Sequence, residues 1–397
     1  MIDLKAARAD ADRWRAALAR KDAAEQFDAL LEADERWRTL IPRVDELRGR
    51  TKLKGKPTPE ELEALRPVKA ALKEAEEELA ATEAARDAAL ALVPNPPDDS
   101  APDGDTEDDA EELRRVGEPP ALGKPREHTE IGRFDMERAA RVSGARFGYV
   151  MGDAARVAMA LYQFALEHLA EAGFTAVIPP VLVREEAMYG TGFFPTERSN
   201  IYALEADGLF LTGTSEVALA ALHMGEILSE LPLRYTGFST CFRREAGAAG
   251  KDTRGMFRVH QFNKVEMFVF VEPETSRDEH ERMLDLEERF LQALGLPYRV
   301  MNVAAGDLGA PAAKKYDIEA WFPFQERYRE VTSCSNTTDY QSRRLGIRYR
   351  ADGGLDNPHT LNGTMVTDRA LLAILENFQG GVPDVLTRHG APTEVRP

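Results

Sequence analysis

Residues Cys241 to Phe270 read CFRREAGAAGKDTRGMFRVHQFNKVEMFVF, a strand, a polar glycine-rich loop and a second, longer strand. From Met256 to Phe270 apolar and polar residues alternate without Gly or Pro, the pattern of a strand buried on at least one face. Its even-numbered face carries Arg258, His260, Phe262, Lys264, Glu266 and Phe268, an odd mixture for a plain core. Four strand residues span roughly 13 Å, so a ring at Phe262 and a carboxylate at Glu266 can touch opposite ends of one extended ligand. Upstream, Arg243 and Glu245 stand on one face at the mouth of the loop. An arginine offers a planar fork of donors suited to phosphate. Taken alone, Arg-x-Glu reads equally well as a salt-bridged surface hairpin.

Phe242-Arg243-Arg244-Glu245, Arg254-Gly255 and Arg258-Val259-His260-Gln261-Phe262 together resemble motif 2 of the class II aminoacyl-tRNA synthetases. The continuation Val-His-Gln-Phe-x-Lys-Val-Glu resembles the seryl-tRNA synthetase family in particular.

The 397 residues suffice for two domains, with 43% hydrophobic and 30% charged residues. No apolar run of membrane-spanning length occurs and the start carries no apolar signal core, so a cytoplasmic protein is expected. Cys241 and Cys334 lack zinc or redox spacing and read as reduced core thiols. A net charge of -17 argues against general nucleic-acid affinity.

One segment breaks the acidic trend. Heptads at Leu30, Ala33, Trp37, Leu40, Val44 and Leu47, and again from Leu65 to Val93, predict an antiparallel helical hairpin over about residues 28–93. The second helix would project about 50 Å. At the connection Arg48, Arg50, Lys52, Lys54 and Lys56 gather five positive charges with no acid among them. At the end of a long arm on an acidic body, such a tip suits RNA phosphate. The hairpin resembles the tRNA-binding arm of the seryl family, with a first helix about two turns short. Pro42 and Pro67 are expected to interrupt the helices and face each other at one bend. Pro94 to Gly104 reads as a linker, which divides the chain into an RNA-binding domain at 1–103 and a catalytic domain at 104–397.

Downstream, an amphipathic helix at Arg156–Ala172, a strand at Phe174–Ile178 and Pro179-Pro180 resemble motif 1, the dimerisation element of class II enzymes. Gly213-Thr214-Ser215-Glu216 opens a predicted helix, Val217–Leu228, as an ordinary cap would. It also resembles the family's serine-binding Thr-x-Glu. Glu330 and Ser333 in a predicted strand, Arg327–Ser335, are hard oxygen donors of the kind magnesium accepts. Leu361-Asn362-Gly363-Thr364 leading to Asp368-Arg369 resembles motif 3.

The resemblance implies an α+β fold, an antiparallel sheet flanked by helices with a coiled-coil arm, working as a homodimer. It implies a ligase that activates L-serine with ATP and Mg2+ to seryl-adenylate, then transfers the seryl group to the 3′ end of tRNA(Ser), and also of tRNA(Sec). Arg243 and Arg369 would bind the α- and γ-phosphates as catalytic groups, and Glu330 and Ser333 would hold magnesium. Arg244, Glu245, Val259, Phe262, Val331 and Thr332 would complete the ATP site. Thr214, Ser215, Glu216, Glu266, Asn362 and Thr364 would bind serine. Two other readings stay open: an adenylate-forming relative that charges a carrier protein, which would not need the arm, and a non-catalytic RNA-binding module, which would not need the arginines.

Overall fold

The structure, a computed structural model, describes residues 1–52, 58–246 and 255–397. Lys54, Lys56 and Arg254 lie outside the described residues. The chain divides into two compact units, Met1–Pro96 and Pro97–Pro397.

The first unit is helical, dominated by α1 (Ala24–Thr51) and α2 (Pro59–Leu92). A capping box at Thr58 and Glu61 starts α2, with Pro59 in the first turn. The helices run antiparallel: Trp37 lies under the Arg86 guanidinium at 3.9 Å, Arg43 meets Glu78 at 3.3 Å and Arg48 meets Glu76 at 2.9 Å. Val44, Leu47 and Ala75 form the buried seam between them, with Val68, Leu72 and Leu79 packed alongside. This is the heptad pattern in space. Pro42 and Pro67 do not interrupt the helices: both helices continue through them, and both side chains are exposed. A missing backbone donor costs least where water can serve the freed carbonyl.

The second unit is built on one eight-stranded sheet. Its strands, in chain order, are β1 (Glu111–Val116), β2 (Thr175–Val177), β3 (Leu233–Phe242), β4 (Gln261–Val271), β5 (Tyr298–Asn302), β6 (Lys314–Phe322), β7 (Arg327–Asn336) and β8 (His359–Thr367). Spatially they run β1-β5-β6-β7-β8-β4-β3-β2. Every pairing is antiparallel except β2 with β3. Three helices carry apolar faces into the main core: α3 (Gly152–Glu171), α4 (Ser276–Leu294) and α5 (Asp368–Phe378). In α3 the buried positions Val157, Leu161, Ala165 and Leu169 recur every fourth residue, one stripe of a helix. The odd-numbered residues of β4, Val265 to Val271, face this core. That leaves the even-numbered face for other work.

Several boundaries differ from the sequence reading. The strand expected from Met256 begins at Gln261, because Gly255 to His260 turn first. The helix expected over Val217–Leu228 stops at Ala220 and gives way to a short 3-10 turn before Gly225. The predicted linker is partly structural. Asp98 donates its backbone N–H to the Ala313 carbonyl at 2.8 Å, and Ala101 is buried with Val303, Ala305 and Leu308. Residues 97–103 therefore belong to the second unit. Cys241 and Cys334 are free and buried. Among the described residues no helix is long and apolar enough to cross a membrane.

Candidate active site

Lateral strand pairing explains how residues distant in sequence share one cleft. On β4 the side chains of Phe262, Lys264 and Glu266 all line one cleft, with Phe262 also packed against the edge of the main core. Two β-bulges then re-aim the neighbouring strands. Ile318 pairs with Thr332 but Glu319 pairs with Glu330, which leaves Val331 as an extra residue in β7. Likewise Val265 pairs with Val366 but Glu266 with Thr364, which leaves Met365 extra in β8. In a regular strand, residues three apart face opposite sides; one extra residue puts them on the same side. Glu330 and Ser333 thereby line the same cleft, as do Thr364 and Thr367.

The cleft has a volume of about 360 Å³. Thr214, Glu216, Arg243, Glu245, Val259, Phe262, Glu266, Glu330, Val331, Thr332, Ser333, Asn362, Thr364 and Arg369 all line it. Arg244 and Ser215 do not. The Arg244 Nε donates to the Ile201 carbonyl at 3.1 Å and its guanidinium lies over Tyr202. Ser215 is fully buried and points its hydroxyl at the Gly237 carbonyl, 3.4 Å away. Both support the lining from behind. Arg48 and Arg50 are exposed on α1, with Arg48 paired to Glu76, and Lys52 is exposed just beyond the helix.

One end of the cleft is acidic and closed. Glu216 accepts hydrogen bonds from Gln341 Nε2 at 2.7 Å and Asn362 Nδ2 at 3.1 Å. Burial, and then the nearby Glu266 charge, push its carboxyl up to about 7. Glu266 is also raised by burial, against the pull of Lys264, with which it forms a buried ion pair. Lys264 Nζ reaches the Thr364 hydroxyl at 3.5 Å. Two buried carboxylates with one cation between them are a receptor for one more positive charge.

The other end is cationic and more open. Arg243 donates Nε–H to the Gly213 carbonyl at 3.1 Å, and its guanidinium lies 5.2 Å from the Phe262 ring centre. Glu245 is ion-paired with Arg258. Arg369 donates from Nη1 to the Glu330 carbonyl at 3.0 Å and to its carboxylate at 3.1 Å. Desolvation works to raise the Glu330 carboxyl, but Lys315, Arg369 and Arg243 outweigh it and hold it down at about 2. That carboxylate is ionised at every physiological pH. With the Ser333 hydroxyl on the same face, it supplies hard oxygen donors that suit magnesium.

Sequence reasoning left Lys264, Lys315, Phe257 and Arg258 without roles, although all four line the cleft. Lys264 carried a usable signal, since it lies between Phe262 and Glu266 on the face already singled out. Phe257 carried none, because a strand through Met256 would have placed it on the core side.

Similar proteins match both units. Residues 1–97 match the seryl-tRNA synthetase N-terminal domain, and residues 202–378 match the tRNA synthetase class II core domain (G, H, P, S and T). The serine–tRNA ligase of Mycolicibacterium vanbaalenii is 49% identical, over 96% of this chain and 94% of its own length. The crystal structure of seryl-tRNA synthetase from Pyrococcus horikoshii complexed with ATP superposes with a TM-score of 0.93 at 38% identity, covering 100% of both chains. That of the cytoplasmic serine–tRNA ligase from Naegleria fowleri in complex with AMP gives 0.87 at 34% identity, over 96% and 94% of the two chains. By its arm, its catalytic unit and the near-complete coverage by these relatives, the chain belongs to the seryl-tRNA synthetase family.

Proposed function

We propose that the chain is an ATP-dependent serine–tRNA ligase, which forms seryl-adenylate and transfers the seryl group to the 3′ end of tRNA. The observation that carries this reading is the polarity of the cleft described above. Its closed end offers paired carboxylates to an ammonium, and its open end offers arginines and an aromatic ring to a nucleotide. The relatives named above are serine–tRNA ligases, and two solved ones carry ATP or AMP.

In this reading Glu216, Glu266 and Thr214 hold the serine ammonium and side chain, and Asn362 positions Glu216. Thr364, held by Lys264, tests the serine hydroxyl; a site built to hydrogen-bond a hydroxyl rejects alanine because its buried polar groups stay unpaired. Phe262 stacks on adenine, with Glu245 and the Val259 backbone at its edge. Arg243 meets the α-phosphate and Arg369 the γ-phosphate. Glu330 and Ser333 would hold Mg2+, which when bound neutralises phosphate charge. The serine carboxylate attacks the α-phosphorus and the bond to pyrophosphate breaks; the tRNA 3′-terminal hydroxyl then attacks the seryl carbonyl, and the bond to AMP breaks as AMP leaves. Positioning and charge stabilisation carry such chemistry, with no protein nucleophile.

The first unit, Met1–Pro96, serves tRNA binding and the second, Pro97–Pro397, catalysis, with the basic arm tip at Arg48, Arg50, Lys52, Lys54 and Lys56 on tRNA phosphate. A homodimer forms through α3 and edge strand β2, where Met159 and Ile178 leave apolar side chains exposed. The work is cytoplasmic, where tRNA is charged. Charging of a tRNA(Ser) transcript with labelled serine tests the reading: serine alone should be esterified, and charging with alanine or threonine instead, or with none, contradicts it.

The acidic end also sets a pH dependence. Glu216 must be ionised to hold the ammonium, and its carboxyl stands at about 7. KM for serine should fall about tenfold between about pH 6 and about pH 8, with KM for ATP nearly constant. The raised carboxyl also stabilises the empty fold below the ordinary carboxylate range, a contribution lost as pH rises through about 7. A serine KM independent of pH would remove Glu216 from this role.

A further inference from the structure

A buried dyad behind the nucleotide end has no part in the chemistry described above. His128 opens a one-turn helix, His128–Ile131, and is 1% exposed; Glu376, on α5, is 0% exposed. Their Nδ1 and Oε1 atoms are 2.8 Å apart. The second carboxylate oxygen of Glu376 accepts the Phe324 backbone N–H at 3.2 Å. On the far side of the ring, Met256 donates its backbone N–H to His128 Nε2 at 3.3 Å.

These partners leave one arrangement of protons. Nε2 must be bare to accept from Met256, so the ring proton sits on Nδ1 and is donated to Glu376. The surroundings hold the ring in that pose. Phe134 meets it edge-on at 5.9 Å, and Glu127 stands beside Gly255 with one oxygen tied to Thr129 at 3.0 Å. Gly255 has φ +68, and a Cβ there would lie 2.7 Å from His128 Nε2. Only glycine lets the backbone come this close to the ring.

The residue after Met256 reaches the cleft. Phe257 lies beneath the guanidinium of Arg329 at 3.7 Å and that of Arg369 at 4.8 Å, with the Phe322 ring edge-on at 5.3 Å. Arg369 and Glu376 lie on the same helix, about two turns apart. The connections form a closed circuit: α5 holds His128 through Glu376, His128 holds Met256, and the adjoining Phe257 lies against Arg369 on α5.

We propose that His128 and Glu376 are positioning residues for the nucleotide end of the cleft. Acting through Met256 and Phe257, they fix the Arg369 guanidinium where it meets an ATP phosphate. The role rests on the ATP site of the proposed function and adds to it two residues that touch neither substrate.

Glu376→Gln is the informative change. A carboxamide presents one oxygen and one NH2, so it cannot accept from both His128 and Phe324. Gly255→Ala strains the same junction from the loop side without touching a buried charge. ATP binding, followed by titration calorimetry with magnesium and without serine, should weaken about tenfold in each variant, one lost charge-assisted contact. In pyrophosphate exchange, KM for ATP should rise by a similar factor while KM for serine stays within about twofold. Unchanged ATP affinity in Gly255→Ala, or equal weakening of serine and ATP, would overturn the proposal, even if Glu376→Gln fails to fold. Failure of the wild-type chain to exchange with serine while it still binds ATP would instead remove the proposed function.

Discussion

Arg243→Ala should cut serine-dependent pyrophosphate exchange by about 10²–10³ and leave the fold intact, the loss typical when one donor to a developing charge is removed. The side chain is exposed at the lip of the cleft, so its deletion leaves no cavity, and Lys315 and Arg369 still face the Glu330 carboxylate. The Arg243 Nε–H donates to the Gly213 carbonyl at 3.1 Å, which leaves the outer edge of the guanidinium to meet a ligand. The Phe262 ring 5.2 Å away fixes the plane of the fork relative to a stacked base. Arg243→Lys keeps the charge and loses the two-pronged geometry, so its loss should be smaller, about tenfold. Thermal unfolding of both variants should match the wild type. Exchange within a few-fold of wild type in Arg243→Ala would place the α-phosphate elsewhere.

The largest stability effect is expected at Lys264. Lys264 and Glu266 are 5% and 1% exposed and form an ion pair in the floor of the cleft. Lys264→Met leaves the Glu266 carboxylate buried without that cation, a change that costs about 3–5 kcal/mol at neutral pH. The loss should shrink in acid. Burial already raises the Glu266 carboxyl above its ordinary value, and without Lys264 it rises further. A carboxyl raised in the folded state stabilises the fold at low pH and loses that contribution as pH rises through its folded value. Urea unfolding at about pH 5 and about pH 7.5 separates the two regimes. Equal losses at both values, or less than about 1 kcal/mol at about pH 7.5, would mean that Glu266 does not depend on Lys264 for its charge.

What could be read in advance follows from which interactions are local. The heptads of α1 and α2 and the alternation along β4 are written in side-chain periodicity, and both elements formed. The identities of Arg243, Glu266, Glu330 and Arg369 were legible because each sits in a motif with particular neighbours. The bulges at Val331 and Met365 were not legible, since an extra residue in one strand is defined only against its partner. Yet the bulge at Val331 is what turns Glu330 and Ser333 to the same side, as the one at Met365 does for Thr364 and Thr367. The tie between His128 and Glu376 spans most of the catalytic unit, and nothing in the sequence around either residue announces the other. The short helix after Glu216 was misjudged because an apolar run looks the same whether it continues as helix or turns at Gly225. Residues 97–103 carry linker composition but are ordered by the carbonyls and small side chains they meet.

The central claim is that one cleft joins serine to ATP before any tRNA is present. Exchange of labelled pyrophosphate into ATP, with magnesium, without tRNA, and with serine, threonine, alanine or glycine in turn, tests it most directly. Rapid exchange that depends on serine and is weak with the other three is the expected result. Exchange driven equally well by another of these amino acids, or none with any of them, would contradict it.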